Sequence, residues 1–175
     1  STPKPSSAAS DVYKRQHVDI EDVFIGSMHA LTGKLPVDEL VGMARNAIKG
    51  PGVCSGMGTA NSMHLVCEAL GMALPGSSPI AANSPQMFDF VRQAGQRIVA
   101  MIEEDLKPRD ILSPGAFANA VSVVLAAGGS VNCIKHMQAV AAEGGIDVDV
   151  YGLFRELGNR IPVCLLYTSD AADEG

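Results

Sequence analysis

A cysteine stands inside a glycine-rich run that leads directly into a helix-like stretch. The run begins at Gly50, contains four glycines and Cys54, and is followed by a predicted helix over residues 60–72. Glycine lets the backbone adopt positive φ angles and approach a ligand closely, and the first amides of a helix are unpaired donors with partial positive charge. Such surroundings favour the thiolate form of a cysteine. Cys54 is therefore a candidate nucleophile, metal ligand or cluster ligand, with a buried structural cysteine as the alternative.

Composition limits the class of protein. The chain has 175 residues, of which 47% are hydrophobic, and this is enough for one domain with a sizeable core. Its net charge of −6 and the lack of a basic stripe argue against nucleic-acid binding. The sequence has no apolar run long enough to predict a membrane span and no signal-peptide pattern. Four unevenly spaced cysteines do not indicate a disulfide framework, so a reducing cytoplasm is the expected compartment.

The two ends of the chain differ from the sequence between them. Residues 1–16 are rich in proline and serine without apolar periodicity, and residues 164–175 continue no pattern that precedes them. Both strings resemble translated sequencing-adapter read-through, which occurs at the ends of environmental gene fragments. We therefore expect non-native or disordered tails at both ends and a native segment over 17–163, which removes Cys164 from the site candidates.

Helix signals follow one another along the middle of the chain, and convincing strand patterns are scarce. Ser84–Pro85 and Ser113–Pro114 each combine a capping serine with a first-turn proline, and Asp149 is a further candidate cap. Residues 107–110 are expected to break the longest helix. The predicted helices cover residues 19–31, 36–48, 60–72, 84–105, 115–127, 131–143 and 149–159.

The longest predicted helix carries an apolar face. Its large apolar side chains recur at helical spacing, so we expect them to point toward a core. These residues are Phe88, Val91, Ile98, Met101 and Ile102.

A second glycine signal covers residues 128–132, Gly-Gly-Ser-Val-Asn, before a predicted helix. Free amides at such a helix start could receive an anion. Two glycines and a serine are also typical of a helix stop followed by a serine cap, and the local pattern favours that helix connection.

The remaining cysteines and two histidines favour structural roles. Cys67 and Cys133 have the positions of small core residues on helices, and His64 and His136 have those of structural histidines. Cys54 and Cys67 lack the spacing of a self-contained zinc site.

Four motifs follow one another in register across nearly the whole of 17–163. They are Gly52-Val53-Cys54-Ser55-Gly56-Met57-Gly58-Thr59-Ala60-Asn61-Ser62-Met63, Glu-Ala-Leu-Gly-Met-Ala-Leu-Pro-Gly at 68–76, Asp-Leu-Lys-Pro-Arg-Asp-Ile-Leu at 105–112, and Phe-Ala-Asn-Ala at 117–120 leading to 128–132. Together they resemble the dihydroxy-acid dehydratase / 6-phosphogluconate dehydratase family.

The resemblance implies an iron–sulfur hydro-lyase that removes water from a 2,3-dihydroxy carboxylate and yields a 2-keto acid. Cys54 matches the last of three cysteines that hold the cluster, [2Fe–2S] or [4Fe–4S], whose open iron acts as a Lewis acid on the departing 3-hydroxyl. We expect segments 50–62 and 128–132 to face one another across a shared cleft. The residues expected next to cluster or substrate are Gly56, Thr59, Asn61, Gly128, Gly129, Ser130 and Asn132.

The resemblance also implies parts that lie outside this sequence. Two further cluster cysteines and a Cys-Asp-Lys element that helps hold Mg²⁺ belong upstream, and the serine proposed as catalytic base belongs downstream. The catalytic residues are therefore unknown, and the fragment alone is expected to be inactive and to expose apolar faces. The implied parent is a cytoplasmic homo-oligomer whose N-terminal domain is α/β, with helices flanking a sheet, and this fragment supplies mainly helices.

The sequence leaves two alternatives to the main interpretation, which is a dihydroxy-acid dehydratase of branched-chain amino-acid biosynthesis. Within the family, the substrate could be a sugar acid, such as an aldonate or phosphogluconate. Gly58 favours the sugar-acid alternative, because many dihydroxy-acid members of the family carry tyrosine at this position. Outside the family, the chain would be a helical binding module with a structural Cys54.

Overall fold

The computed structural model describes residue 18 and residues 20–47, 51–53 and 57–163. Cys54, Ser55 and Gly56 lie outside the described residues, as do both predicted tails. Every regular element in the described ranges is an α-helix, which confirms the prediction of a predominantly helical chain. None of these helices is long and apolar enough to cross a membrane. In chain order the helices are α1 Ile20–Leu31, α2 Val37–Ala47, α3 Thr59–Ala69, α4 Pro85–Glu103, α5 Pro108–Ile111, α6 Pro114–Ala126, α7 Asn132–Gly144 and α8 Val150–Leu157.

The chain divides into two compact units, Ser1–Pro51 and Gly52–Gly175. In the first unit, α1 and α2 pack against one another. Gly26 is buried on α1, and a Cβ added there would lie 3.2 Å from both Leu40 Cδ1 and Met43 Cε. A larger residue at this position would therefore require these side chains to move.

In the second unit, α3, α6, α7 and α8 pack around one apolar core. The helix α6 supplies its centre, because its buried residues recur at the i, i+3, i+4, i+7 spacing of a single helix face. Phe117 is the largest fully buried side chain among the described residues. The buried apolar residues are Val66, Leu70, Leu112, Phe117, Ala120, Val121, Val124, Cys133, Met137, Ala141 and Val150.

The predicted helix caps at Ser84, Ser113 and Asp149 are confirmed. Each side-chain oxygen accepts a hydrogen bond from the backbone N–H three residues later, at 3.2 Å for both serines and 2.9 Å for the aspartate. Each bond satisfies one of the amides that the first helical turn leaves without an intrahelical partner.

The predicted break at 107–110 occurs, since α4 ends at Glu103, but this run forms a helical turn of its own. Pro108 occupies the first turn of α5, and Asp110 Oδ2 accepts the Lys107 N–H at 2.8 Å. A proline followed two residues later by a capping carboxylate can begin a helix as well as end one.

The expectation that the apolar face of α4 points into a core is wrong for the described structure. Phe88, Val91, Ile98 and Ile102 are 50–74% exposed, and α4 has no buried residue. Helical spacing predicts which side of a helix is apolar, but it does not identify the surface that covers it. An apolar groove of about 330 Å³ lies between α4 and the preceding loop; its lining residues are Met72, Ala73, Leu74, Ser77, Ile80, Met87, Phe90, Val91 and Ala94.

Glu68 ties the end of α3 to the loop that follows it. Its Oε1 accepts the Gly76 N–H at 2.6 Å, and its Oε2 accepts the Ser78 N–H at 2.9 Å. These two bonds, the Gly76 bond first, hold the pKa of the Glu68 carboxyl below its ordinary value. The ionised carboxylate is therefore part of the folded structure.

We expect Glu68→Gln to lower the free energy of unfolding of the chain at pH 7 by about 1–2 kcal/mol, because hydrogen bonds to a charged acceptor are lost. Since the folded-state pKa is lowered, this stabilisation is present above the unfolded value of about 4.5 and is lost as pH falls through the folded value. Urea unfolding at pH 7 and at successively lower pH measures the difference. It should shrink on acidification, whereas Glu143→Gln on exposed surface should stay within about 0.5 kcal/mol at each pH. A difference in unfolding free energy that does not change with pH would contradict a stabilising role for the charge of Glu68.

Candidate functional site

The start of α3 and the connection between α6 and α7 meet through polar side chains. Thr59 Oγ1 lies 2.9 Å from Ser130 Oγ, and Asn132 Nδ2 donates to the same threonine oxygen at 2.9 Å. The Ser130 N–H donates to Ser62 Oγ at 2.8 Å. We name Thr59, Ser62, Ser130 and Asn132 the hydroxyl junction. It joins two segments that are about 70 residues apart in the sequence.

Ser62 is the buried centre of the hydroxyl junction. Its side chain is fully buried, and its hydroxyl donates to the Gly58 carbonyl at 2.9 Å while accepting from Ser130. Sequence reasoning did not select Ser62 as a site residue. The available signal was its position four residues before Val66 and eight before Leu70, which places it on the buried face of α3.

Glycines give the α6–α7 connection its shape. Gly128 has φ +61°, and its N–H donates to Leu125 O at 3.2 Å while the Gly129 N–H donates to Val124 O at 2.9 Å. This is a Schellman stop, so the helix connection favoured by the local pattern is confirmed. A Cβ added to Gly129 would lie 3.1 Å from Ser62 Oγ and 3.2 Å from Val124 Cγ1. The missing side chain therefore lets the connection lie against α3.

The predicted cap at Ser130 is wrong by one residue. Val131 is the N-cap residue of α7, which begins at Asn132. Ser130 Oγ still accepts the Asn132 N–H, at 3.3 Å, while also contacting Thr59. The Ser130 side chain thus contacts α3 and the start of α7 at the same time.

The hydroxyl pair of Thr59 and Ser130 has one proton without an acceptor among the described residues, which we call the spare proton. Asn132 donates to both oxygens, from its side-chain amide to Thr59 and from its backbone N–H to Ser130. The contact between the two hydroxyls uses one of their two protons. Within the described part of the chain the structure gives no acceptor for the other proton. The pair can therefore donate a hydrogen bond to a carboxylate or hydroxyl oxygen of a ligand.

The N-terminus of α3 lies beside the hydroxyl junction. Gly58, the N-cap residue, has extended backbone and makes no side-chain cap, and a Cβ added to it would have no described atom within 4 Å. The first turn of α3 carries the partial positive charge of a helix N-terminus. This end of α3 is suited to a negatively charged group.

Residues 5–168 match the family described as "Dihydroxy-acid/6-phosphogluconate dehydratase N-terminal". This match covers nearly the whole chain. The chain belongs to the dihydroxy-acid/6-phosphogluconate dehydratase family. The resemblance drawn from the four motifs is confirmed. The matched residues extend past 17–163 at both ends, and the assignment of 1–16 and 164–175 as tails stays a prediction.

Three curated relatives carry the name dihydroxy-acid dehydratase. The protein from Oleidesulfovibrio alaskensis is 40% identical over 157 residues, which are 89% of this chain and 28% of the relative. The protein from Syntrophobacter fumaroxidans is 43% identical over 149 residues, 84% of this chain and 26% of the relative. The protein from Sulfurisphaera tokodaii is 41% identical over 151 residues, which are 86% of this chain and 27% of the relative. The chain therefore spans about a quarter of the length of these relatives.

The hydroxyl junction brings together three residues that sequence reasoning selected from the dehydratase motifs: Thr59, Ser130 and Asn132. Gly129 lies directly beside Ser62, and Gly128 forms the turn before it. Asn61 is half-buried on the first turn of α3. Segments 57–62 and 128–132 thus contact one another.

Cys54 and Gly56 of the dehydratase motif lie outside the described residues, so their distances to the hydroxyl junction stay a prediction. Within the described ranges no group of three or more His, Cys, Asp or Glu side chains could hold a metal ion. Burial raises the pKa of the Cys133 thiol, which opposes the thiolate form that a metal ligand needs. The core assignment of Cys133 is confirmed, and Cys67 is half-buried on α3.

Proposed function

We propose that this chain is part of an iron–sulfur dehydratase that converts a 2,3-dihydroxy carboxylic acid into a 2-keto acid. The reaction that we propose is that of dihydroxy-acid dehydratase in branched-chain amino-acid biosynthesis. The observation that carries the proposal is 40–43% identity to three proteins of that name across 84–89% of this chain.

Cys54 is the ligand that this chain contributes to the cluster in our proposal. The N-cap residue of α3, Gly58, stands four residues after Cys54, and the partial positive charge of the helix N-terminus fits the negative charge of a thiolate-held cluster. When bound, the cluster supplies an open iron position that acts as a Lewis acid on the departing 3-hydroxyl. The chain's own part is to hold the cluster from one side and to offer backbone donors to it.

The hydroxyl junction holds the substrate in the same proposal. The spare proton of the Thr59–Ser130 pair donates to a substrate oxygen, and Asn132 fixes both hydroxyls by donating to each. Gly56, Asn61, Gly128 and Gly129 complete the proposed surroundings of cluster and substrate; small residues there leave room for a ligand.

Further parts of the proposal concern the whole enzyme. Mg²⁺, the two other cluster cysteines and the catalytic base belong to the remaining three-quarters of the relatives' length. The parent N-terminal domain is proposed to be α/β, and the enzyme to be a cytoplasmic homo-oligomer without nucleic-acid or membrane partners. The exposed apolar residues of α4 are consistent with burial against other parts of that assembly.

A sugar acid is the second candidate substrate, and Gly58 is the observation that favours it. No described atom lies within 4 Å of a Cβ added to Gly58, so a tyrosine, as in many dihydroxy-acid members, would occupy space that glycine does not fill. That space would accept the longer chain of an aldonate or phosphogluconate.

The test is expression of the full-length parent gene under anaerobic conditions. We expect bound iron and sulfide, and formation of a 2-keto acid from a branched 2,3-dihydroxy acid. Turnover of an aldonate or phosphogluconate alone would move the assignment to the sugar-acid alternative. A purified full-length protein with neither cluster nor turnover would contradict both candidates and favour the helical binding module.

A further inference from the structure

Ser62 is the only buried polar side chain in the part of the chain that the structure describes. We infer that Ser62 is a positioning residue, which sets the geometry of the Thr59–Ser130 hydroxyl pair without itself touching the substrate. This inference rests on the proposed function for the role of that pair. The inference goes beyond the proposed function, because it assigns the arrangement of the Thr59–Ser130 pair to the buried residue Ser62.

The hydroxyl of Ser62 connects both sides of the hydroxyl junction. It donates to the carbonyl of Gly58, the residue directly before Thr59, and accepts the N–H of Ser130. These two bonds therefore each end at or next to one member of the hydroxyl pair, and the Cys133 thiol of α7 is a third hydrogen-bond neighbour of Ser62. A shift of either partner relative to Ser62 changes the 2.9 Å separation of Thr59 Oγ1 and Ser130 Oγ.

Loss of the Ser62 hydroxyl would affect the two sides unequally. The Gly58 carbonyl also accepts the backbone N–H of residue 62 at 3.1 Å, so it keeps a partner without the side chain. The Ser130 N–H donates to Ser62 Oγ at 2.8 Å, and the described residues provide it with no second acceptor. A half-buried amide without a partner carries a desolvation penalty, so the connection moves until the amide finds water or another acceptor.

The packing around Ser62 leaves little freedom for another arrangement. The Cα of Gly129 approaches so closely that an added Cβ would lie 3.1 Å from Ser62 Oγ. Ser130 follows Gly129 directly, so its backbone position depends on this contact. Serine at position 62 therefore combines a side chain small enough for the contact with a hydroxyl that the Ser130 amide requires.

The test compares Ser62→Ala with the unchanged full-length parent protein. Ser122→Ala is the control for loss of a helix serine hydroxyl, because Ser122 is half-buried and its hydrogen bond stays within α6, to Ala118 O at 2.8 Å. We expect Ser62→Ala to retain iron and the cluster absorption spectrum while raising KM for the dihydroxy acid about tenfold, the equivalent of roughly one hydrogen bond. Ser122→Ala should keep the wild-type KM.

Hydrogen exchange gives a readout that does not depend on activity. Amide exchange in the peptide covering 128–132 should accelerate in Ser62→Ala and not in Ser122→Ala. Should Ser62→Ala fail to accumulate, Ser62→Gly takes its place, because it removes the hydroxyl without adding volume, and Ser122→Gly is then the control for glycine inside a helix.

Two outcomes separate this inference from the proposed function. If the unfolding midpoint of Ser62→Ala falls while KM and exchange at 128–132 stay at wild-type values, Ser62 is merely structural and the inference is overturned. If the wild-type parent lacks dehydratase activity, the proposed function fails; accelerated exchange would then still support the role of Ser62 in holding the connection, and unchanged exchange would overturn it.

Discussion

Replacing Cys54 with serine in the full-length parent protein is expected to remove the iron–sulfur cluster and the dehydratase activity together. A serine hydroxyl keeps the size of the thiol, but it is a harder donor that does not ionise near neutral pH, whereas iron–sulfur clusters select thiolates. Iron and acid-labile sulfide per chain, the visible absorption of the cluster, and turnover of a dihydroxy acid measure the effect. We expect all of them to fall to background.

Cys67→Ser is the matched control for Cys54→Ser. Cys67 is half-buried on α3, and neither the spacing of the cysteines nor the family motif assigns it to the cluster. This variant should keep its iron content and turnover. Full iron content and turnover in Cys54→Ser would exclude Cys54 as a ligand and return it to the structural role that the sequence left open.

Phe117→Ala is expected to lower the free energy of unfolding of the chain by about 3–5 kcal/mol, the usual range for deleting a buried aromatic side chain. Phe117 is fully buried in the core formed by α3, α6, α7 and α8, so its removal leaves a cavity. Domains of this size are commonly stable by only about 5–15 kcal/mol. Urea unfolding followed by circular dichroism should show a clearly lower midpoint than the unchanged chain.

Phe88→Ala makes the same chemical change on α4, where the side chain is 50% exposed. Its effect should stay within about 1 kcal/mol, because little apolar surface leaves a packed environment. Equal losses for the two variants would show that the core does not lie where the structure places it.

The helix starts could be predicted from the sequence because their causes are local. At Ser84, Ser113 and Asp149 the capping oxygen and the amide that it accepts are three residues apart, so both are visible in one short window. The Schellman stop at Gly128 is equally local. These elements depend on hydrogen-bond chemistry within a single turn of chain.

Only the general position of the hydroxyl junction could be predicted from the sequence. Convergence of the two glycine-rich segments followed from the family motifs, but the bond between Ser62 and Ser130 spans 68 residues and leaves no periodic trace in the sequence. The prediction that the apolar face of α4 is buried was wrong for a related reason. An apolar stripe shows which side of a helix is apolar, but it does not show which other element packs against that side. Long-range pairing is the information that local patterns lack.

The 68-residue separation of Ser62 and Ser130 has a consequence for synthesis on the ribosome. At about 5–20 residues per second, roughly 3–14 s pass between the addition of these two residues. During that interval residues 59–69 are synthesised but Ser130, the partner of Ser62, is not. Codons that slow translation between positions 62 and 130 lengthen this interval, and faster codons shorten it.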